Sequence, residues 1–234
     1  MTESRKKIVA IVQPNYIPWK GYFDMIRLVD EFILLDDVQY THDWRNRNLV
    51  KTKDGLKWLT IPVNASREQH IKDVKAIDNG WRSNHWNIVS DNYAKAKYFE
   101  VFRERLKELF LNRDEIFISR IDYNFLTEIN LWFGITTPLT WASEYSAGGK
   151  KDEKILNLCK KAKATGYLSG PAAKAYLRED IFTESDVKVH WMDYSNYPEY
   201  HQLFPPFEHG VSILDLILNE GPHALQYMKQ DKLK

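Results

Sequence analysis

The sequence predicts an α/β fold in which helices cover both faces of a parallel sheet, with a helical insert interrupting the pattern. Three observations predict it. Short apolar runs of strand length alternate with segments of helical periodicity, first near the start of the chain and again in its last hundred or so residues. Turn residues, chiefly Pro, Gly, Asn and Asp, punctuate the runs. Between about residues 82 and 134 the alternation gives way to amphipathic helical pattern alone. Alternating βα units argue for a parallel, Rossmann-like sheet. The chain reads as one α/β domain over residues 1–234, with the insert at about 82–134.

Each element has its own signal. Residues 7–12 form an apolar strand that runs into the turn Gln13-Pro14-Asn15-Tyr16-Ile17-Pro18. Residues 19–29 follow with helical pattern, and residues 32–36 form a second strand ending in Asp36 and Asp37. A polar segment, 38–56, leads to a third strand over 57–63, stopped by Pro62. A helix begins at 84–94. Tyr98, Val101, Phe102, Leu106, Leu109 and Phe110 then recur at three- and four-residue steps. Asp114 is positioned to cap the next helix, where Phe117, Ile121, Phe125, Ile129 and Phe133 repeat every four residues until Gly134. The β/α alternation resumes with a strand at 137–142, a helix at 151–163 and a strand at 166–169. A helix start at 172–177, a strand at 187–192 and a helix at 211–219 complete it, before Gly221-Pro222.

Composition excludes several function classes. Lys and Arg number 33 against 32 Asp and Glu, a formal charge of +1. Nothing at whole-chain level asks for nucleic acid as a partner. The single cysteine, Cys159, excludes an intramolecular disulfide and a Cys-rich zinc site. The seven histidines show neither HxH nor HxxxH spacing, so no metal is expected. There is no GxGxxG after a strand and no Walker A sequence, and no resident cofactor is expected. MTESRKK leads straight into a strand. A signal peptide needs a longer apolar run, and a membrane span needs about 18 apolar residues or more. The expectation is a soluble, cytoplasmic protein. Aromatic residues reach 14%, with 8 Trp and 13 Tyr. Some rings fill the core; others carry polar handles suited to a pocket for flat ligands.

Polar residues collect where the strands end, the edge at which open parallel sheets bind ligands. The first group is Gln13, Asn15, Tyr16, Trp19, Gly21 and Tyr22. Pro14 and Pro18 stiffen it, and a following helix N-terminus favours an anion, to which Lys20 could add charge. The plain alternative is a loop whose aromatics plug the sheet edge. The second group pairs Asp36-Asp37 with Arg45 and Arg47. A carboxylate there can act as a base or accept from an amine, and the arginines can fork onto phosphate. An Asp–Arg ion pair ordering the loop fits equally well. The third is Ser169-Gly170-Pro171, with Lys174 in the turn beyond. It lacks the GxSxG pattern, so Ser169 is a hydrogen-bond donor or helix cap rather than a nucleophile. The fourth contains Tyr200, Gln202 and His209. His209 precedes a helix, which favours its neutral form and a role as general base. Ser212 and Asp215 have capping-box spacing.

The runs QPNYIPWKGYFDMI and DEFILLDDVQYTHDWRNRN, with KWLTIPV, YLSGPAAKAYL, YPEYHQL and HGVSILDLILNEG, resemble the WbqC-like protein family of bacterial polysaccharide gene clusters. The resemblance spans nearly the whole chain. Its motif falls on Gln13, Pro14, Tyr16, Pro18, Gly21, Tyr22, Asp37, Arg47, Ser169, Gly170, Tyr200, Gln202, Ser212 and Asp215. It implies a part in O-antigen or related surface-glycan biosynthesis, with acyl or aminoacyl transfer onto amino sugars. A more distant likeness is to HIGH-type (HUP-like) nucleotidyltransferases and adenylate-forming ligases such as pantothenate synthetase. There the signature histidines contact phosphates; here Trp19 and Tyr22 stand in their places.

Three readings follow. In the first, the amine of a nucleotide-linked sugar attacks an activated acyl donor, such as a CoA or acyl-carrier-protein thioester. His209 or Asp37 is the base, Gln13 helps hold the oxyanion, and Arg45, Arg47 and Lys174 hold phosphates. Asn15, Tyr16, Trp19, Tyr22, Ser169, Gly170, Tyr200 and Gln202 contact the substrate. The second reading is a HIGH-type nucleotidyltransferase or ligase. The third is a non-catalytic partner in a glycan-assembly complex.

Overall fold

The computed structural model describes residues 6–66, 68–111 and 114–229. In chain order the elements are β1 (Ile8–Val12), α1 (Lys20–Arg27), β2 (Glu31–Leu34), β3 (Arg47–Thr52), β4 (Gly55–Thr60), α2 (Trp81–Tyr93) and α3 (Phe99–Leu111). They continue with α4 (Ile118–Trp132), β5 (Leu139–Trp141), α5 (Asp152–Lys161), β6 (Gly166–Ser169), α6 (Glu179–Thr183), β7 (Lys188–Trp191) and α7 (Ile213–Glu220). Five strands make one sheet in the order β5-β2-β1-β6-β7, and every neighbouring pair is parallel. Seven helices flank it among the described residues. This is a Rossmann-like arrangement. The chain leaves β1 to one side for β2 and β5, then returns to the other side of β1 for β6 and β7. The order therefore reverses between β1 and β6, and their carboxyl ends, Val12 and Ser169, flank the crevice.

Side chains alternate across β1. Ala10 joins Phe32, Leu34, Phe110, Phe125, Ile129 and Ile213 in one apolar cluster, so the helical insert shares a core with the sheet. Val9 and Ile11 point the other way, onto Leu158, Cys159 and Phe182. Each fully buried Leu, Ile or Phe contributes roughly 1.5–3 kcal/mol through its loss of water contact. Helix α5 carries Asp152 and Glu153 in its first turn and Lys160 and Lys161 in its last, matching the helix dipole at both ends. Helix α7 ends at Gly221, where φ is +51° and a Cβ would lie 2.4 Å from the Tyr98 ring. Both facts demand glycine.

Several expectations are corrected. The 38–56 segment is not all loop, because Arg47–Thr52 pairs with Gly55–Thr60 as an antiparallel hairpin. The 57–63 strand therefore belongs to this hairpin and lies outside the parallel sheet. Lys53-Asp54-Gly55 at its tip is the turn signal that marks it, with Gly55 at φ +104°. Helix α2 starts at Trp81, three residues before the expected start. Asp114 does not cap α4, whose N-cap Phe117 makes no side-chain cap bond; Glu115 Oε1 accepts from the N–H groups of Ile116 and Phe117 just ahead of it, at 2.8 and 2.9 Å. Residues Pro171–Ala175 form a 3-10 turn rather than an α-helix start. Ser212 caps α7 as expected, accepting from Leu214 N. Asp215 does not close a capping box, because its carboxylate turns inward to three other donors.

Candidate functional site

The turn after β1 is held from several sides. Tyr16 N donates to Trp44 O at 2.9 Å, and Ile213 N donates to Pro18 O at 2.9 Å. Asn48 Nδ2, on β3, donates to both Tyr16 O and Ile17 O, at 3.1 and 3.0 Å. Between them Ile17 is fully buried at φ +40°, a conformation a β-branched residue adopts only when its surroundings impose it. The loop is thus fixed before any ligand arrives. Tyr22 OH donates to Gln13 O at 2.9 Å, and Tyr16 OH is 3.0 Å from His85 Nδ1. Burial pushes the His85 pKa down to about 4, so this imidazole is neutral at physiological pH. The hydroxyls of Tyr16 and Tyr22 are committed to these partners, and both rings wall the site from behind.

Several polar atoms at this edge are buried and have no hydrogen-bond partner. They include Gln13 Oε1, Asn15 Oδ1, Asp37 Oδ1, the Nε atoms of Arg45 and Arg47, and both carboxyl oxygens of Asp122. An unmade hydrogen bond on a buried group costs about 1–3 kcal/mol, and more on a charged one. Such a concentration is expected where a ligand completes the bonding. Asp122, on α4, is wholly buried; burial raises its pKa well above the usual carboxylate range, and the Arg45 guanidinium opposes that rise. The Asp122 charge in turn raises Tyr16, Tyr22 and Tyr40, adding to the larger effect of their burial. Gln13, Asn15, Tyr16, Tyr22, Arg45 and Arg47 therefore gather with Tyr40 and Asp122 beyond the ends of β1 and β2. Asp122 and Tyr40 escape a reading of the sequence. The signal for Asp122 is a carboxylate in the apolar stripe Ile118, Asp122, Phe125, Ile129 of an amphipathic helix.

The two aspartates after β2 separate. Asp36 is buried and accepts from Ser143 N and Oγ at 3.0 and 2.8 Å, which fixes the segment after β5. Asp37 pairs with Lys154 Nζ of α5 at 2.8 Å and keeps one unpartnered oxygen. Ser169 is buried at the end of β6 and Gly170 follows it, whereas Lys174 is exposed with its ammonium 5.6 Å from the Trp191 ring.

Tyr200 and Gln202 belong to a second polar group under α7. The Asp215 carboxylate accepts from Tyr93 OH at 2.7 Å, Tyr200 OH at 2.8 Å and Gln202 Nε2 at 2.8 Å. Lys51 Nζ donates to Gln202 Oε1 at 2.6 Å and to Pro206 O. These groups satisfy one another, which gives them a framework role. Lys20 does not add charge to the β1 turn. Its ammonium donates to Pro198 O at 3.2 Å and sits 4.7 and 5.3 Å from the Tyr197 and Tyr200 ring centroids. Burial lowers its pKa to about 8. Trp19 packs edge-on against Tyr194 and Tyr197, so its ring is part of the packing beneath α1. His209 is exposed just before α7; partial burial, then the nearby Lys20 charge, lowers its pKa, which keeps it neutral and able to take a proton. Open surface clefts at the hairpin tip, lined by Lys53, Asp54 and Asn92, and beside Trp81 carry none of the unpartnered groups. Among the described residues there is no His/Cys/Asp/Glu cluster that could hold a metal ion, and no helix long and apolar enough to cross a membrane.

The fold and this edge define a Rossmann-like α/β protein with a group of buried, unpartnered polar atoms beyond the ends of β1 and β2. The model of the WbqC-like protein family matches residues 13–227, so the chain belongs to that family. A curated relative is 43% identical over 226 residues, covering 95% of this chain and 98% of its own length; it is described as uncharacterized protein Rv1507c of Mycobacterium tuberculosis. No solved structure matches the chain.

Proposed function

We propose that the protein is a transferase of surface-glycan biosynthesis. It moves an acyl or aminoacyl group from an activated donor, such as a CoA or acyl-carrier-protein thioester, to the amine of a nucleotide-linked amino sugar. The observation that carries the reading is the set of buried, unpartnered polar atoms on Gln13, Asn15, Arg45 and Arg47 beyond β1. The two guanidinium groups suit a diphosphate. The unpartnered Gln13 Oε1 and Asn15 Oδ1 suit amine or hydroxyl donors of the sugar, while Gln13 Nε2 and nearby backbone N–H groups suit a carbonyl oxygen that gains charge as the amine adds. The amine nitrogen bonds to the thioester carbon, the C–S bond breaks, and the thiolate leaves. Asp37, which keeps one unpartnered oxygen, takes the ammonium proton in place of His209, which sits beside Lys20 and Phe207, and the thiolate is reprotonated from solvent. Asn15, and Ser169 and Gly170 at the end of β6, are candidate contacts, whereas Trp19 is taken up in packing and Lys174 stands exposed beside Trp191.

The strand order also favours a second reading, a HIGH-type nucleotidyltransferase or ligase, because that order is shared by dinucleotide- and nucleotide-binding sheets. Against it, Trp19 and Tyr22 occupy the histidine positions and are engaged in packing. A thermal-shift screen separates the two, since a ligand that prefers the folded state raises the midpoint. Stabilisation by a nucleotide-linked amino sugar, with none from ATP and magnesium, supports the transferase. Stabilisation by ATP and magnesium with pyrophosphate release moves the assignment to the ligase. No shift with any nucleotide or nucleotide-linked sugar, beside a large exposed apolar face, would leave a non-catalytic partner in glycan assembly.

A further inference from the structure

Two tryptophans stand exposed beside the arginines of the site. Trp44 is 39% exposed and Trp58 is 41% exposed, with ring centroids 5.4 Å apart and planes inclined at 44°. Trp44 belongs to the segment after β2, and its carbonyl accepts from Tyr16 N, which ties it to the β1 turn. Trp58 is on β4, diagonal to Arg47 on β3, and the Arg47 guanidinium carbon lies 4.5 Å from its ring centroid. Packing alone explains part of this, because an arginine over a tryptophan stiffens a hairpin. It does not explain why Arg47 Nε is buried without an acceptor, nor why Arg45 Nε is the same. Arg45 has an acid neighbour, Asp43, at 3.2 Å, but that contact uses Nη1.

We propose that Trp44 and Trp58 form a stacking platform for the nucleobase of a nucleoside diphosphate whose phosphates lie on Arg45 and Arg47. The inference rests on the transferase reading and names the part of the site that holds the nucleotide end of the acceptor. The charge complementarity is direct: flat rings outermost, unpartnered guanidinium donors just inside them, and the Gln13 turn beyond. A base stacked on an aromatic side chain gains enough to strengthen binding roughly tenfold or more, with little preference among bases.

The test uses the full chain and reads tryptophan fluorescence and calorimetry with uridine diphosphate, the other common nucleoside diphosphates, inorganic pyrophosphate and free N-acetylglucosamine. The expected result is that nucleoside diphosphates bind about tenfold more tightly than pyrophosphate. Trp44→Ala and Trp58→Ala should remove that advantage, keep pyrophosphate binding, and lower the thermal midpoint by only a few degrees, because both rings are partly exposed at the surface. The platform is overturned if pyrophosphate binds as well as every nucleoside diphosphate, if the variants bind nucleotides as the parent does, or if the rings hold only the free sugar. Acyl transfer with an unchanged KM for the nucleotide-linked sugar in the double variant would remove the platform and leave the transferase standing. Tryptophan-dependent nucleotide binding without acyl transfer would do the reverse.

Discussion

Replacing Asp122 with Asn should stabilise the ligand-free protein at neutral pH, and by more as the pH rises. Asp122 is 0% exposed and neither carboxyl oxygen has a partner. Burial is the leading cause of its raised pKa, and Arg45 only opposes it. In the unfolded chain the carboxyl ionises near pH ~4. Above that pH the folded state holds one more proton than the unfolded state. Stability then falls by about 1.4 kcal/mol per pH unit until Asp122 ionises in place. Asn keeps the shape and removes the titration. It still leaves a buried amide unpaired, at about 1–3 kcal/mol, so the slope is a cleaner readout than the absolute gain. In a chain of 234 residues, each kcal/mol moves the midpoint by about 2–4 °C. Urea unfolding of both proteins at several pH values between 5 and 8 measures it. A difference that stays flat across that range, or a variant that loses ground as pH rises, would refute the picture of an unpaired buried carboxyl.

Other predictions concern the site and its frame. Gln13→Ala, Asp37→Asn and Arg47→Ala should each abolish transfer while shifting the melting temperature by no more than a few degrees; unfolding of all three would make these residues structural. Lys51→Met should cost about 1–3 kcal/mol in chemical denaturation, because it takes a donor from the buried Gln202 Oε1 and from the Pro206 carbonyl. Gly221→Ala should destabilise by about 1–3 kcal/mol through the Tyr98 clash and its positive φ, yet bind ligand as the parent does. Lys20 has a pKa lowered to about 8, so its folded form carries fewer protons than the unfolded chain above that pH. Its contribution to stability therefore becomes less unfavourable as pH rises from 8 toward 10, and the advantage of Lys20→Met should shrink over that window.

The parallel sheet was legible because its strands are short apolar runs bounded by turn residues, a pattern that packing on both faces requires. The hairpin was not, because Arg47–Thr52 is mostly polar, with only Leu49 and Val50 apolar, and its neighbours masked the Asp54-Gly55 turn. Gln13, Asn15, Arg45 and Arg47 could be chosen from sequence since they crowd strand ends, where burial of a polar group needs a reason. Asp122 is different. It lies far along the chain on an insert helix whose apolar repeat draws attention to its phenylalanines, and only the packing of α4 against the sheet brings it to Arg45. Conversely, Tyr200, Gln202 and Asp215 have the look of a binding motif on paper. Three dimensions show them bonded to one another and to Tyr93.

The most direct measurement is amide hydrogen exchange, read by mass spectrometry, with and without a saturating nucleotide-linked amino sugar. If the ligand occupies the polar edge beyond the ends of β1 and β2, protection concentrates in residues 13–18 and 36–48, with Trp58 at its margin. Protection confined to the α3 surface or the hairpin tip, or none at a concentration that raises the melting temperature, would contradict a site at the carboxyl edge of the sheet.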